Sequence, residues 1–205
     1  MAASYWDSTQ RRFWTFTKPK LASMRSKIDD DDWRSLTQQF PLPERRLLNI
    51  YLMQQIQRLA KKLGNSLRQQ AMATAQIYVK RYYLTVDFRR TNPYLVLSAA
   101  LYIACKMEEC PQHIRLVVVE AHNLWPDAVA ADIGRLGECE FAIIAELSSQ
   151  LIVHHPYRSL ADLQPQFGLE TEETALAWSI INDHYLTDIP LLYPPYAIAI
   201  TACFL

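Results

Sequence analysis

Residues 73–103 have the sequence ATAQIYVKRYYLTVDFRRTNPYLVLSAALYI, and residues 175–205 repeat it in outline as ALAWSIINDHYLTDIPLLYPPYAIAITACFL. The two stretches align without a gap at an offset of 102 residues and share eight identical positions out of 31. This offset is longer than the roughly 20 to 50 residues of a solenoid repeat. The pattern therefore predicts two copies of one helical domain, with Tyr83 and Tyr185 in matching environments.

The hydrophobic pattern of the first copy is helical. After Pro43 an apolar side chain recurs every three or four residues, at Leu48, Leu52, Ile56, Leu59 and Leu63. Gly64-Asn65 predicts the end of this helix, and Ser66 predicts the N-cap of the next one. Further helices are expected at 67–84, 93–106, after Pro111, and at 128–147, with their second-copy counterparts at 157–167, at 171–187 and from 195 onward. No stretch alternates as a strand for more than a few residues, so the predicted fold class is all-α.

The pattern also predicts three segments. Residues 1–43 form an aromatic leader that is partly helical, residues 44–150 form the first repeat and residues 151–205 the second. The first repeat continues for two more helices past Ile103, whereas the sequence stops at Leu205, so we expect the second repeat to be incomplete. The nearly uncharged run from Ile189 is interrupted by prolines, and we expect a buried helix there instead of a membrane span.

Charge is distributed unevenly although the net charge is zero. Residues 44–106 carry a net charge of +9, and residues 107–205 carry −11. Three explanations stay open for the basic region, namely a nucleic-acid partner, an acidic protein segment, or helix faces that are only solvated. The cations concerned are Arg58, Lys61, Lys62, Arg68, Lys80, Arg81, Arg89 and Arg90.

The sequence lacks the patterns that catalysis requires. With four glycines and neither G-x-G-x-x-G nor G-x-x-x-x-G-K, it has no phosphate-binding loop. No C-x-x-C or H-E-x-x-H occurs, so we expect no metal and no cofactor. His154-His155 precedes a proline and indicates a linker, and nothing places a nucleophile near Glu108-Glu109. We therefore expect a protein that binds and does not catalyse.

Several motifs resemble those of the cyclin family. One group is similar to a cyclin box: Arg68–Gln70, Ala73–Ala75, Tyr78–Tyr83, Asn92–Pro93, Ala104–Glu109 and Glu138–Phe141. Another group is similar, more narrowly, to C-type cyclins: Tyr5–Ser8, Leu151–Arg158 and Ile181–Pro195. The resemblance implies two tandem cyclin boxes, the second incomplete, behind an N-terminal leader helix. The chain departs from the family between Pro111 and Asp132. It also lacks, at Glu44–Leu48, the Met-Arg-Ala-Ile-Leu patch by which cell-cycle cyclins dock substrates.

The resemblance implies a function as well as a fold. It implies a non-catalytic regulatory subunit that binds and activates the cyclin-dependent kinase of the Mediator complex. Such a subunit regulates RNA polymerase II transcription in the nucleus, as an activator or as a repressor. Other subunits of the Mediator kinase module are expected partners, whereas direct DNA binding and membrane association are not expected.

The kinase-binding residues are also implied by the resemblance. Lys106 and Glu140 match the lysine and glutamate that hold the kinase at the surface of the first box, and Glu138 is a rival for the glutamate role. Glu140 is preferred because its spacing to Leu151 fits the family pattern. We expect the side chains of Lys106 and Glu140 to lie close enough to bond each other or the same backbone of the partner. The same set of kinase-binding residues includes Glu108, Glu109 and Phe141.

An alternative function is that of a general transcription factor with the cyclin fold that binds nucleic acid. The basic region of residues 44–106 supports it. The absence of an N-terminal zinc ribbon and the acidic second box oppose it. A steep fall of DNA affinity with salt would distinguish this alternative from the kinase regulator.

A second partner surface is predicted from three residues. Asn182-Asp183 occupies the repeat positions of Lys80-Arg81, and both residue types are mediocre helix formers. Trp6 is a large apolar residue in a short leader, and exposed aromatic residues often anchor interfaces. We expect Trp6, Asn182 and Asp183 to help form a groove for another Mediator kinase-module subunit. The alternative is that Trp6 docks on the first box and Asn182-Asp183 is merely solvated.

Overall fold

The computed structural model describes residues 4–30, 41–64 and 67–205, and every regular element in them is helical, which confirms the all-α prediction. Two 3-10 turns lie at Tyr5–Asp7 and Phe88–Arg90. The described α-helices are α1 (Thr9–Phe13), α2 (Lys18–Asp30), α3 (Arg45–Lys62), α4 (Gln69–Tyr82), α5 (Pro93–Met107), α6 (Ile114–Leu124), α7 (Ile133–Glu146), α8 (Pro156–Phe167), α9 (Thr171–His184), α10 (Ile189–Leu192) and α11 (Pro195–Phe204). Predictions on Asn65, Ser66 and part of the leader fall outside the described residues.

The 102-residue offset is visible in the helix bounds. Helix α9 begins and ends 102 residues after α4, and α11 begins 102 residues after α5. Tyr83 and Tyr185 are the C-caps of α4 and α9. Their hydroxyls have different partners, however, since Tyr83 pairs with Thr91 at 3.0 Å and Tyr185 with His155 at 2.6 Å. The helical repeat is confirmed, and the prediction of matching tyrosine environments is wrong because the loops around the two helices differ.

The chain forms two compact units. One comprises Pro19–Leu151, and the other combines Met1–Lys18 with Ile152–Leu205. The predicted boundaries of the two repeats stay a prediction. Among the described helices none is both long and apolar enough to cross a membrane.

In the Pro19–Leu151 unit, α4 and α5 form the centre. Small side chains on α4, among them Ala71 and Ala75, are fully buried and allow neighbouring helices to approach closely. Helix α5 packs against both α4 and α7. Asn92 caps α5 by accepting the backbone N–H groups of Tyr94 and Leu95 at 3.1 and 3.2 Å. The N-cap residue of α4 is Arg68.

Two buried side chains of α4 hold the end of this unit. The Tyr78 hydroxyl donates to the carbonyl of Leu151 at 2.6 Å, and Arg81 Nη1 donates to the carbonyl of Gln150 at 3.1 Å. The backbone before these carbonyls is in the left-handed region, with φ of 50° at Ser148 and 57° at Ser149. Side-chain hydrogen bonds from the central helix therefore stabilise a strained turn.

The other unit joins the first part of the leader, Met1–Lys18, to the second repeat. Phe16 donates its backbone N–H to the carbonyl of Leu191 at 2.8 Å. Helices α8, α9 and α11 pack against one another in this unit. Helix α8 is followed by its C-cap Gly168, whose φ of 64° is the left-handed conformation that glycine adopts without a side-chain clash.

Candidate functional site

The C-terminal end of α5 and the middle of α7 present an ion pair. The ammonium of Lys106 donates a hydrogen bond to a carboxylate oxygen of Glu140. The Lys106 ammonium also lies 4.3 Å from the centre of the Tyr102 ring, within cation–π range. The side chain of Lys106 is 39% exposed and that of Glu140 is 15% exposed. The predicted proximity of the two side chains is therefore confirmed, and their role in binding stays a prediction.

Large apolar side chains lie exposed on the same two helices. Phe141 follows Glu140 on α7 and is 76% exposed, and Met107 follows Lys106 and is 40% exposed. Glu138, the rival carboxylate, is also exposed. Exposed phenylalanine and methionine side chains are typical of protein-binding surfaces, where both residue types are enriched. The arrangement suits a partner protein better than a small molecule.

The two glutamates at the end of α5 have different environments. Glu108 is half-buried and accepts a hydrogen bond from the Thr74 hydroxyl at 2.6 Å. Burial raises the pKa of Glu108, whereas the hydrogen bond from Thr74 and the charge of Arg68 lower it. Glu109 is exposed and has a φ of 54°, a strained conformation for a residue with a side chain. Of these two glutamates, only Glu109 is therefore exposed to solvent.

The raised pKa of Glu108 gives a testable pH dependence. Because the folded state raises this pKa, ionisation of Glu108 destabilises the folded state as pH rises through the folded pKa. Glu108→Gln keeps an acceptor for Thr74 and cannot ionise. We expect the free energy of unfolding of the variant, relative to wild type, to increase between about pH 4 and pH 7. Urea denaturation over this range measures the difference.

The matched control for this titration is Glu109→Gln, since Glu109 is exposed and lies one residue away. Its stability relative to wild type should change less over the same pH range. A difference for Glu108→Gln that does not vary with pH would contradict the burial argument.

The basic surface is smaller than the sequence predicts. Lys80 and Arg81 are buried, with Lys80 Nζ donating to Asn49 Oδ1 at 2.8 Å. Arg89 forms an ion pair with Asp87 at 3.1 Å. Of the eight predicted cations, the exposed ones are Arg58, Lys61, Lys62, Arg68 and Arg90. The basic sequence of α4 therefore serves the interior of the unit, which weakens the argument for nucleic-acid binding.

Trp6 lies in the unit that contains the second repeat. The residue is 52% exposed, and the centre of its ring lies 5.5 Å from the centre of the Tyr196 ring. The guanidinium of Arg11 lies 5.1 Å from the centre of the Trp6 ring. Trp6 thus has an aromatic neighbour on α11. The alternative interpretation had instead expected Trp6 to dock on the first box.

Asn182 and Asp183 lie on α9 in the same unit. Asn182 is half-buried and accepts a hydrogen bond from the Tyr157 hydroxyl at 2.9 Å, whereas Asp183 is exposed. The ring of Tyr157 lies 4.5 Å from that of Trp178. Asn182 and Trp6 therefore have separate aromatic neighbours, and the groove that joins them stays a prediction.

The described residues contain no cluster of three or more histidine, cysteine, aspartate or glutamate side chains that could hold a metal ion. Burial raises the pKa of the Cys105 thiol to about 12 and that of the Cys139 thiol to about 11. A thiol must ionise to act as a nucleophile or metal ligand. These two cysteines therefore serve as apolar packing groups at neutral pH.

The helical arrangement matches a known domain. The family model for the N-terminal domain of cyclins matches residues 22–152, which is more than half of the chain. The chain belongs to the cyclin family. The resemblance and the fold class inferred from sequence motifs are thereby confirmed for this cyclin.

The cyclin is similar in sequence to several curated fungal proteins. The cyclin is 61% identical over 202 residues to a protein of Aspergillus oryzae, a match that covers 98% of the cyclin and 66% of the relative. A relative from Neurospora crassa is 58% identical over 207 residues, covering all of the cyclin and 59% of the relative. Both relatives are named RNA polymerase II holoenzyme cyclin-like subunit. The cyclin spans less than two thirds of their length.

Solved structures support the fold. The cyclin is similar to a chain of the yeast TFIIK complex, with a TM-score of 0.77 and 22% identity over 97% of the cyclin and 84% of that chain. It is also similar to a chain of the CAK complex from Chaetomium thermophilum bound to ATP-gamma-S. That match has a TM-score of 0.79 and 23% identity over 99% of the cyclin and 69% of that chain. At these identities the likeness concerns the cyclin fold alone.

Proposed function

We propose that this cyclin binds and activates a cyclin-dependent kinase of the Mediator kinase module and so regulates RNA polymerase II transcription in the nucleus. The Lys106–Glu140 pair carries the proposal, because it places a charge pair beside exposed Phe141 on two helices of the family domain. The names of the curated relatives, which refer to the RNA polymerase II holoenzyme, support the assignment to transcription.

The proposed mechanism is a shift of the kinase equilibrium. A protein kinase requires an ion pair between a strand lysine and a glutamate of its helix C, and an unaided kinase can leave that helix displaced. A rigid helical surface that binds only the active position favours that position by its difference in binding energy. A nearly complete switch requires about 5.5 kcal/mol. The cyclin contributes no chemical group to phosphoryl transfer in this mechanism.

The experiment that tests this function is co-purification of the intact protein from nuclear extract, followed by identification of the bound kinase. Addition of the purified cyclin to that kinase should raise its rate of peptide phosphorylation. A kinase rate unaffected by the cyclin, or co-purification without any kinase, would contradict the proposal. A titration with duplex DNA across a range of salt concentrations tests the alternative, since phosphate neutralisation produces a steep salt dependence.

A second surface is proposed to bind another subunit of the Mediator kinase module. Trp6, Asn182 and Asp183 belong to one compact unit, whereas Lys106 and Glu140 belong to the other. Trp6 offers an exposed indole beside Tyr196, and Asp183 offers an exposed carboxylate. An exposed indole beside a second aromatic ring supports this surface, because tryptophan and tyrosine are enriched among interface hot spots.

The prediction for this surface concerns assembly. Trp6→Ala, and separately the double variant Asn182→Ala/Asp183→Ala, should each weaken assembly into the complete module by about 30-fold, the loss typical of a hot-spot residue. Affinity for the isolated kinase should stay within about twofold of wild type. Titration of both complexes by calorimetry measures the two affinities. Intact assembly of every variant, or loss of kinase binding itself, would contradict a separate second surface.

A further inference from the structure

Gln10 on α1 is a polar side chain that is only 4% exposed. Its amide is hydrogen-bonded twice to the backbone of His154. Gln10 Nε2 donates to the His154 carbonyl at 3.2 Å, and Gln10 Oε1 accepts the His154 N–H at 2.6 Å. One side chain thus satisfies both polar backbone groups of a residue that has no helical partner. These bonds join the leader to the residue that precedes the N-cap of α8.

Other contacts fix the leader around Gln10. Beyond α1, the Phe16 N–H donates to the Leu191 carbonyl at 2.8 Å. Before α1, the Tyr5 ring meets the His154 ring edge-on, with 5.9 Å between ring centres. Because Gln10 lies between Tyr5 and Phe16, its two hydrogen bonds hold the middle of this segment on the backbone of His154.

Helix α1 in turn holds Trp6. Arg11 follows Gln10, and its Nη1 donates to the Trp6 carbonyl at 2.8 Å while its guanidinium lies over the indole. The position of the Trp6 ring beside Tyr196 therefore depends on where α1 lies. Gln10 determines where α1 lies because its amide hydrogen-bonds to the backbone of His154.

We propose that Gln10 is the positioning residue of the second partner surface. It docks the leader on the second repeat and so sets the orientation of Trp6, although Gln10 is itself too buried to contact a partner. This inference rests on the proposed role of Trp6 in binding a second partner. Its two parts, anchoring of the leader and coupling to the partner, are tested by separate measurements.

Hydrogen exchange of the intact protein tests the anchoring. Gln10→Met keeps a side chain of similar length and cannot form either hydrogen bond to His154. We expect the backbone amides of residues 5–16 to exchange at least about tenfold faster in this variant, with α9 and α11 unchanged. Gln166→Met is the matched control, since Gln166 is exposed and bonds only within its own helix, to Asp162 at 3.0 Å. Unchanged exchange in Gln10→Met would overturn the proposal.

A double-mutant cycle tests the coupling. In the wild-type background, Gln10→Met should weaken assembly into the Mediator kinase module by about tenfold. In the Trp6→Ala background, the same substitution should weaken assembly by less than about a further twofold. Additive losses would show that Gln10 acts independently of Trp6 and would overturn the proposal. A third outcome is faster exchange in Gln10→Met together with unchanged assembly in Trp6→Ala. It would overturn both the second surface and the coupling of Gln10 to it, and would leave intact the conclusion that Gln10 anchors the leader.

A second variant separates positioning from unfolding of the whole unit. Arg11→Ala removes the bond to the Trp6 carbonyl and the cation over its ring, and leaves the Gln10–His154 bonds in place. It should weaken assembly into the module without accelerating exchange at Phe16. Faster exchange at Phe16 in this variant, or unchanged assembly, would count against Gln10 acting through Trp6.

Discussion

Replacement of Lys106 or Glu140 with alanine is expected to weaken kinase binding by about 2–5 kcal/mol, which is roughly 30-fold to several thousand-fold in Kd. The two side chains form an ion pair at the surface, and a kinase that covers this surface would remove water from it. Truncation of one partner then leaves the other charge buried and unpaired in the complex. Titration of the purified kinase with each variant measures the loss.

The thermal midpoint of the free protein should hardly change in these variants. In the free protein the Lys106 side chain is 39% exposed, and exposed ion pairs contribute about 0–1 kcal/mol to stability. Glu138→Ala is the matched control, because it removes an exposed carboxylate two residues away on the same helix and should bind the kinase normally. Normal kinase binding and activation by both the Lys106 and the Glu140 variants would contradict the proposed binding site.

Arg81→Ala is expected to reduce the free energy of unfolding of the Pro19–Leu151 unit by about 2–5 kcal/mol. Arg81 is 1% exposed, and burial lowers its pKa to about 10. Truncation removes the hydrogen bond to the Gln150 carbonyl and leaves a cavity in the centre of the unit. Urea denaturation, followed by the fluorescence of buried Trp125 in the same unit, measures the loss.

Two comparison variants separate the causes. Arg81→Met keeps most of the volume and loses the hydrogen bond, and Tyr78→Phe loses only the hydroxyl bonded to Leu151. Each should cost about 1–3 kcal/mol, the usual penalty for an unsatisfied buried group. A loss below about 1 kcal/mol for Arg81→Ala would show that the strained turn at Ser148 and Ser149 does not need this side chain.

Much of the fold was predictable because the signals are local or repeated. Hydrophobic spacing predicted α3, and Asn92-Pro93 marked the start of α5, where the asparagine side chain caps two amides. The 102-residue offset predicted that α9 would match α4 at both ends. Lys106 and Glu140 are 34 residues apart on different helices, so their proximity followed from resemblance to a family and not from spacing.

Other features depend on tertiary contacts that no local pattern carries. Lys80 and Arg81 are basic residues near the end of a helix, a pattern that usually indicates exposure to solvent. Both are nevertheless buried, and they donate hydrogen bonds to Asn49 and to the carbonyl of Gln150. Nothing in the sequence around Gln10 marks it as a buried amide, since its partner His154 lies 144 residues away. Such polar contacts are decided by which backbone groups the folded chain leaves without partners.

The bond between Gln10 and His154 also has a consequence for protein synthesis. Chains are synthesised from the N-terminus at about 5–20 residues per second, so Gln10 exists for roughly 7–30 seconds before His154 is made. During that time the aromatic leader emerges from the ribosome without the backbone that it will dock on. The unit that displays Trp6 is thus completed later than the Pro19–Leu151 unit, because its N-terminal part docks on backbone that is synthesised after that unit.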